Sequence, residues 1–359
     1  MSCYHPMKAF VVGTTESGKR DLSIQPYTAD YVVKVNGTWR PRCGSPPLNE
    51  VTRSEFVTIP CGQCMGCRID YSRQWANRMM LELSYHKDAW FVTLTYDNAH
   101  LPLTVSQPDE YGEVTELGNL CKRDVQLFFK RLRKNTGQKL RFYCAGEYGS
   151  STARPHYHCI IYGLHLPADD LTDSGKSMDG FHYYCSSIVE QAWSARARGH
   201  ETDEKYPISL IGMVCVAPVS WETCAYTARY VAKKLNGNLA EVYKRNNLVP
   251  EFSLMSRRPG IGLQYYLDHK EEIYNGDVIY LRTAKGGRKI KPPRYYDMKF
   301  DIECPEEMEQ IHAQRQKVAE DLLAAKLAST DKSYLELLAA EEASFRRKFD
   351  QLKKGRNVV

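Results

Sequence analysis

The chain has 359 residues and a formal net charge of +6, from 49 Lys+Arg against 43 Asp+Glu; at ~100 to 200 residues per domain this allows one large domain or two ordinary ones. A content of 43% hydrophobic and 26% charged residues excludes collagen-like, low-complexity and wholly disordered chains. No apolar run approaches the ~18 residues of a membrane helix, and Lys8, Glu16, Lys19 and Arg20 interrupt the first twenty residues where a secretory signal needs a sustained apolar stretch. The expectation is a chain with no membrane partner in a reducing cytoplasm, whose 12 Cys do not form a disulfide framework.

Residues 1 to 67 are rich in Gly, Pro and Thr and read as an irregular lead-in without its own core. Within it Tyr31 to Val35 precede Asn36-Gly37, a strong hairpin-turn dipeptide. From Arg68 to about Tyr85 the chain lacks Gly and Pro, and Trp75, Met79 and Leu83 recur every four residues, so the spacing predicts a helix. Ala89 to Tyr96 reads as a buried strand. Val125, Phe128, Phe129 and Leu132 form the stripe of an amphipathic helix ending near Gly137. Lys139 to Tyr148 and His156 to Tyr162 are β-prone runs joined by a short loop, a hairpin pattern. A helix over Ile188 to Ala197, a strand over Ile208 to Val216 and a helix over Glu222 to Leu235 follow, the last closed by Asn236-Gly237.

The order strand, helix, strand, strand, helix, strand, helix is a βαββαβ arrangement plus one helix. It predicts an α+β fold, ferredoxin-like or RRM-like, with an antiparallel sheet and helices on one face. Residues 263 to 302 add a helix near Leu263 to Ile273 and a basic hairpin around Gly286-Gly287. Residues 303 to 359 read as a helical extension of two helices broken near Ser329 to Asp331.

The chemistry concentrates in Arg154-Pro155-His156-Tyr157-His158, where the strand period of two turns both histidines to one face. A hairpin turning near Ser151 places Glu147 roughly opposite His156. Two imidazoles and a carboxylate suit Mn or Mg as a phosphate activator, and the same set accepts Zn or Fe. Tyr226, Tyr230 and Lys233 sit at i, i+4 and i+7 of the later helix, so two phenols and an ammonium share one face. Taken alone this is equally a partly buried aromatic stripe with a cation at a helix C-terminus. A phenol, with a usual pKa of about 10, needs a cation nearby to become a nucleophile.

Cys61, Cys64 and Cys67 form a C-x2-C-x2-C run whose spacing lets thiolates grip one soft metal. No fourth Cys follows between Arg68 and Tyr71, which disfavours an iron–sulfur run. Structural zinc would take Cys3, His5 or Cys43 as fourth ligand; the alternative is a reduced, packed cluster. Gly13 to Arg20 nearly spells a phosphate-binding loop, but Arg20 replaces the Ser or Thr that holds Mg, so nucleotide binding is rejected. Arg288, Lys289 and Lys291, among Tyr280, Tyr295 and Tyr296, suit phosphates and unpaired bases, or form a solvated hairpin. Arg257 and Arg258 are further candidate phosphate contacts.

FVTLTYD on the first strand, PHYHCIIYG on the histidine strand and YTARYVAKK on the later helix together resemble the three motifs of HUH endonucleases. The tyrosines four apart, with a lysine three further on, are similar to the two-tyrosine subgroup. With PCGQCMGCR and GEYGSSTARPHYH added, the pattern is similar to the rolling-circle replication initiators of the Microviridae, gokushovirus type. It runs from Cys61 to about Gly262, which makes 68–262 the expected endonuclease domain.

The resemblance implies a metal-dependent, site-specific DNA endonuclease and strand transferase in the host cytoplasm. His156, His158 and Glu147 would hold the divalent metal, Tyr226 and Tyr230 would be nucleophiles forming a 5′-phosphotyrosine, and Lys233, or its neighbour Lys234, would stabilise the phosphate charge. The substrates would be single-stranded and supercoiled viral DNA, with host helicase and polymerase as partners. Two alternatives stay open: a non-catalytic origin-binding or single-stranded-DNA-binding module with structural zinc, and a plasmid initiator, relaxase or transposase of the same chemistry.

Overall fold

The computed structural model describes residues 3–16, 18, 20–149, 152–176, 182–231, 240–283 and 286–356. The chain divides into two compact units, one of Met1–Asp70 with Gln310–Val359 and one of Tyr71–Glu309.

The Tyr71–Glu309 unit is built on a seven-stranded antiparallel sheet. From edge to edge its strands are Leu171–Lys176, His182–Ser186, Val214–Pro218, Ala89–Leu94, Pro155–Tyr162, Arg141–Tyr148 and Phe252–Met255. The four strands of the expected βαββαβ unit sit together inside it, in the spatial order fourth, first, third, second. Helix Lys122–Thr136 ends where Gly137 takes φ 67° and donates its N–H to the Arg133 carbonyl, a left-handed cap that glycine adopts without strain.

The helices do not lie on one face. On one side, Val92, Leu94, Cys144, Tyr157, Cys159, Ile161, Val214 and Val216 pack with Val125, Phe128, Phe129 and Leu132 of the Lys122–Thr136 helix and with Val189 and Ala192 of Ser187–Ala192. On the other, Phe91, Tyr143, Ile160, Tyr162 and Ala217 pack with Ala76 and Met79 and with Cys224 and Ala228 of helix Trp221–Val231. The reason is compositional: consecutive residues such as Phe91 and Val92, or Ile160 and Ile161, are all apolar. Both faces of the central strands therefore need cover.

Two expected elements are shorter. The Ile188 to Ala197 helix stops at Ala192, and Ser194–Ala195 pair as a strand with Ser209–Leu210. The Ile208 to Val216 strand is broken between Ser209–Leu210 and Val214–Pro218, where Gly212 lies against the Thr95–Tyr96 backbone. A Cβ on Gly212 would come within 2.5 Å of the Thr95 carbonyl oxygen. Helix Leu263–Gly276 and the hairpin of Ile279–Thr283 with Gly286–Ile290 are present.

In the other unit, the N-terminal residues are not irregular. Met7–Thr14 pairs with Arg20–Pro26 and Phe56–Ile59, and Tyr31–Val35 pairs with Thr38–Arg42 and Thr52–Arg53. Val35 faces Thr38 across Asn36 and Gly37, which take φ 48° and 79°, the positive values of a two-residue hairpin turn. Short strands with little apolar alternation leave no periodic signal; pairing and a small core of Phe10, Ala29 and Val32 stabilise them. Gly13 and Arg20 lie on paired strands, not at a helix start. Helices Pro305–Ala328 and Tyr334–Arg356 are separate, and from Gln310 onward they belong to this unit.

Candidate active site

Strand register assembles the site. Glu147 pairs with His156, Ala145 with His158, and on the other side of the histidine strand Thr93 pairs with His158. The period of two puts His156, His158, Ile160 and Tyr162 on one face. Ile160 and Tyr162 are covered by helices on that face, so its apolar end closes a core while its polar end carries the histidines.

Glu147 Oε1 lies 2.7 Å from His156 Nε2 and 3.2 Å from His158 Nε2. Glu147 and His158 are buried and His156 is half-buried. One donor atom from each residue can be chosen so that all three lie within 4.8 Å of one another. The outer nitrogens are held too. His156 Nδ1 donates to the Arg154 carbonyl at 3.1 Å, and His158 Nδ1 is 3.0 Å from the Thr93 hydroxyl. A carbonyl only accepts, so the His156 proton sits on Nδ1 and a neutral ring turns its Nε2 lone pair toward the carboxylate. Two imidazole nitrogens converging on a buried carboxylate call for a shared cation. The outer hydrogen bonds orient the rings as they do around protein-bound metals, so the donor set fits a divalent ion.

The tyrosine helix is fixed at its start by Ser220 and Thr223. The Thr223 N–H donates to the Ser220 hydroxyl at 3.2 Å while the Ser220 N–H donates to the Thr223 hydroxyl at 2.9 Å, a reciprocal cap. Trp221 Nε1 donates to Asn77 at 3.2 Å. Cys224, Thr227 and Ala228 turn inward, leaving Tyr226 38% exposed. The Tyr226 ring meets the His158 ring edge-on at 5.0 Å, and Phe91 stacks on the other side of His158 at 5.7 Å. The Arg229 guanidinium lies 5.6 Å from the Tyr226 ring centroid.

The structure thus brings together Glu147, His156, His158 and Tyr226. Tyr230 occupies the same helix one turn on, but its side chain, like Lys233 and Lys234 entirely, lies outside the described residues. Thr93, Phe91 and Arg229 are contributors that the sequence reading did not single out. Thr93 and Phe91 were legible as alternate residues of one strand, but only pairing shows that they flank His158. Arg288 lies over Trp221, the first residue of the tyrosine helix, at 5.0 Å, while Lys289 and Lys291 are exposed. Arg257 and Arg258 are exposed on a turn closed by a bridge from Arg257 to Gly260.

In the other unit Cys61, Cys64 and Cys67 gather with Cys3. Burial raises the Cys64 thiol, but N–H groups of Cys67 and Tyr4 outweigh it and bring it down to about 7. Burial pushes Cys67 and Cys3 up. His5 instead pairs with Glu342 at 2.8 Å, and Cys43 is exposed, its Sγ 3.5 Å from the Thr28 carbonyl.

No solved structure matches the chain. Residues 89–235, which hold the whole glutamate, histidine and tyrosine constellation, match the family described as replication-associated protein ORF2. The chain is 32% identical to the replication-associated protein ORF2 of Spiroplasma virus 4 over 293 residues, covering 79% of this chain and 81% of that protein. It is 26% identical to the replication-associated protein VP4 of Bdellovibrio phage phiMH2K, covering 69% of each. With the replication-associated protein ORF4 of Chlamydia phage 1 it shares 24% identity, over 68% of this chain and 56% of that protein. By these likenesses the chain belongs to the replication-associated protein family of ORF2 type.

Proposed function

We propose that the chain initiates and terminates rolling-circle replication of a circular single-stranded phage genome, by nicking DNA at the viral origin and holding the cut end on a tyrosine. The observation that carries this reading is the Tyr226 ring set 5.0 Å from His158, within a buried cluster of one carboxylate and two imidazoles. The spatial order of the four central strands agrees with a ferredoxin-like HUH fold.

Glu147, His156 and His158 would hold a divalent cation, Mg or Mn, and when bound it supplies positive charge to the phosphate oxygens. Tyr226, or Tyr230 one turn on, forms the new oxygen–phosphorus bond in line with the 3′-oxygen, whose bond to phosphorus breaks. The phenol gives its proton to solvent and the departing 3′-oxygen takes one up, leaving a 5′-phosphotyrosine and a free 3′-hydroxyl for priming. Arg229 favours the phenolate by its charge, and Lys233 is the residue proposed for the phosphate charge. Two tyrosines allow a second cut while the first still holds DNA, and hence release of a unit circle. Arg257, Arg258, Arg288, Lys289 and Lys291 are the proposed backbone contacts. Helicase and polymerase are assigned to the host, whose cytoplasm is the proposed site of action.

A covalent-adduct assay on single-stranded DNA spanning the phage genome tests this, with Mn or Mg and with chelator. A metal-dependent, denaturant-resistant adduct is expected from the wild type and absent from the Tyr226→Phe, Tyr230→Phe double variant. DNA that is bound at every segment but never attached, under any metal, would replace this reading with that of a binding module.

A further inference from the structure

We propose that Cys3, Cys61, Cys64 and Cys67 form a closed four-thiolate site for one structural zinc ion, separate from the histidine cluster. Cys64 Sγ is 3.9 Å from Cys3 Sγ, and Cys61 Sγ is 4.0 Å from Cys67 Sγ. Zinc–sulfur bonds of about 2.3 Å at tetrahedral angles put ligand sulfurs about 3.8 Å apart. The cysteines already stand at nearly that spacing, and all four sulfurs fall within 4.8 Å of one another. A cage of several irons would need room between the thiolates that this packing does not leave.

The backbone is arranged for thiolates. Cys3 Sγ accepts from the Cys61 N–H at 3.3 Å and from the His5 N–H. Cys61 Sγ accepts from the Cys64 N–H at 3.3 Å. Cys64 Sγ accepts from the Tyr4 N–H at 3.4 Å and from the Cys67 N–H, and Cys67 Sγ from the Gly62 N–H. Gly62 takes φ 73°, the turn the short spacer demands. Every sulfur thus has at least one backbone donor, as ligands held by outer-shell hydrogen bonds do. Four thiolates in one buried pocket repel one another without a cation at their centre. Binding therefore releases thiol protons to solvent as the ion enters, and soft sulfur donors select zinc over Mg or Mn. With four protein ligands no position is left for water or substrate, so the site is structural, tying Cys3 to the residues that open helix Met65–Leu83.

The test is elemental analysis of the full chain, purified under reducing conditions from zinc-supplemented cells, with cobalt titration of the metal-stripped protein. About one zinc per chain is expected in wild type, Cys43→Ser and His158→Ala, and little in Cys3→Ser and Cys64→Ser. One equivalent of cobalt should give the wild type the visible spectrum of a four-thiolate tetrahedral centre, a readout that stands even where a cysteine variant fails to fold. A wild type without zinc and without that cobalt spectrum overturns the proposal. So does zinc that persists in both cysteine variants but is lost from His158→Ala.

Discussion

The ring of Tyr226 stands edge-on to the imidazole of His158 at 5.0 Å, although a helix and two strands separate them along the chain. A polar strand end, a capped helix and a buried carboxylate converge there, and the consequences can be measured residue by residue.

Glu147→Gln keeps the shape and the capacity to accept a hydrogen bond but removes the charge that two imidazoles share. Affinity for Mn is expected to fall at least ~10- to 100-fold, with single-stranded DNA affinity within about twofold. Calorimetric Mn titration beside DNA anisotropy decides; unchanged Mn affinity would remove Glu147 from the ligand set.

Thr93 acts through His158, so its loss should be repairable. Thr93→Val is expected to weaken metal binding about 10-fold, Thr93→Ser to behave as wild type, and excess Mn to restore adduct formation by the valine variant. Adduct yield against Mn concentration separates this from a folding defect, which added metal would not rescue.

Replacing Arg288, Lys289 and Lys291 together by Ala should lower the slope of log affinity against log salt by about 2 for single-stranded DNA, from three phosphates at ~0.7 each. Anisotropy titrations over a range of salt read this directly. An unaltered slope would show the hairpin to be a solvated charge run.

Glu82 governs an acid transition. Burial raises its carboxyl, but hydrogen bonds from His86, Arg141 and the Gly262 N–H outweigh this and hold it at about 2, against an ordinary 4.5. The folded value lies below the unfolded one, so the unfolded chain takes up the proton first on acidification. The stabilisation, of the order of 3 kcal/mol, is complete above pH ~4.5 and is lost as pH falls toward 2. Urea unfolding of wild type and Glu82→Gln should differ most at neutral pH and converge near pH 2 to 3; an equal difference at both would refute the assignment.

Gly212→Ala would set a Cβ within 2.7 Å of three Thr95 and Tyr96 backbone atoms, which cannot yield as a side-chain end does. A loss of about 2 kcal/mol or more is expected, read as a lower urea midpoint at unchanged slope. A neutral substitution would mean that this crossing is looser than described.

What the sequence by itself determined is everything that acts over a few residues. Strand period sets His156 and His158 on one face, the short hairpin loop sets Glu147 opposite His156, Asn36-Gly37 and Gly137 mark a turn and a cap, and helical spacing marks Phe128 to Leu132. The tertiary structure decided which elements meet. It put Tyr226 beside His158 and Thr93 behind it, selected Cys3 over His5 and Cys43, covered both sheet faces with helices and gave residues 7–59 their sheets. The division has a physical origin. Dihedral preferences and side-chain periodicity are local and leave a pattern in neighbouring letters. Burial and strand order depend on which distant surfaces exclude water together, and no short window of sequence contains both partners.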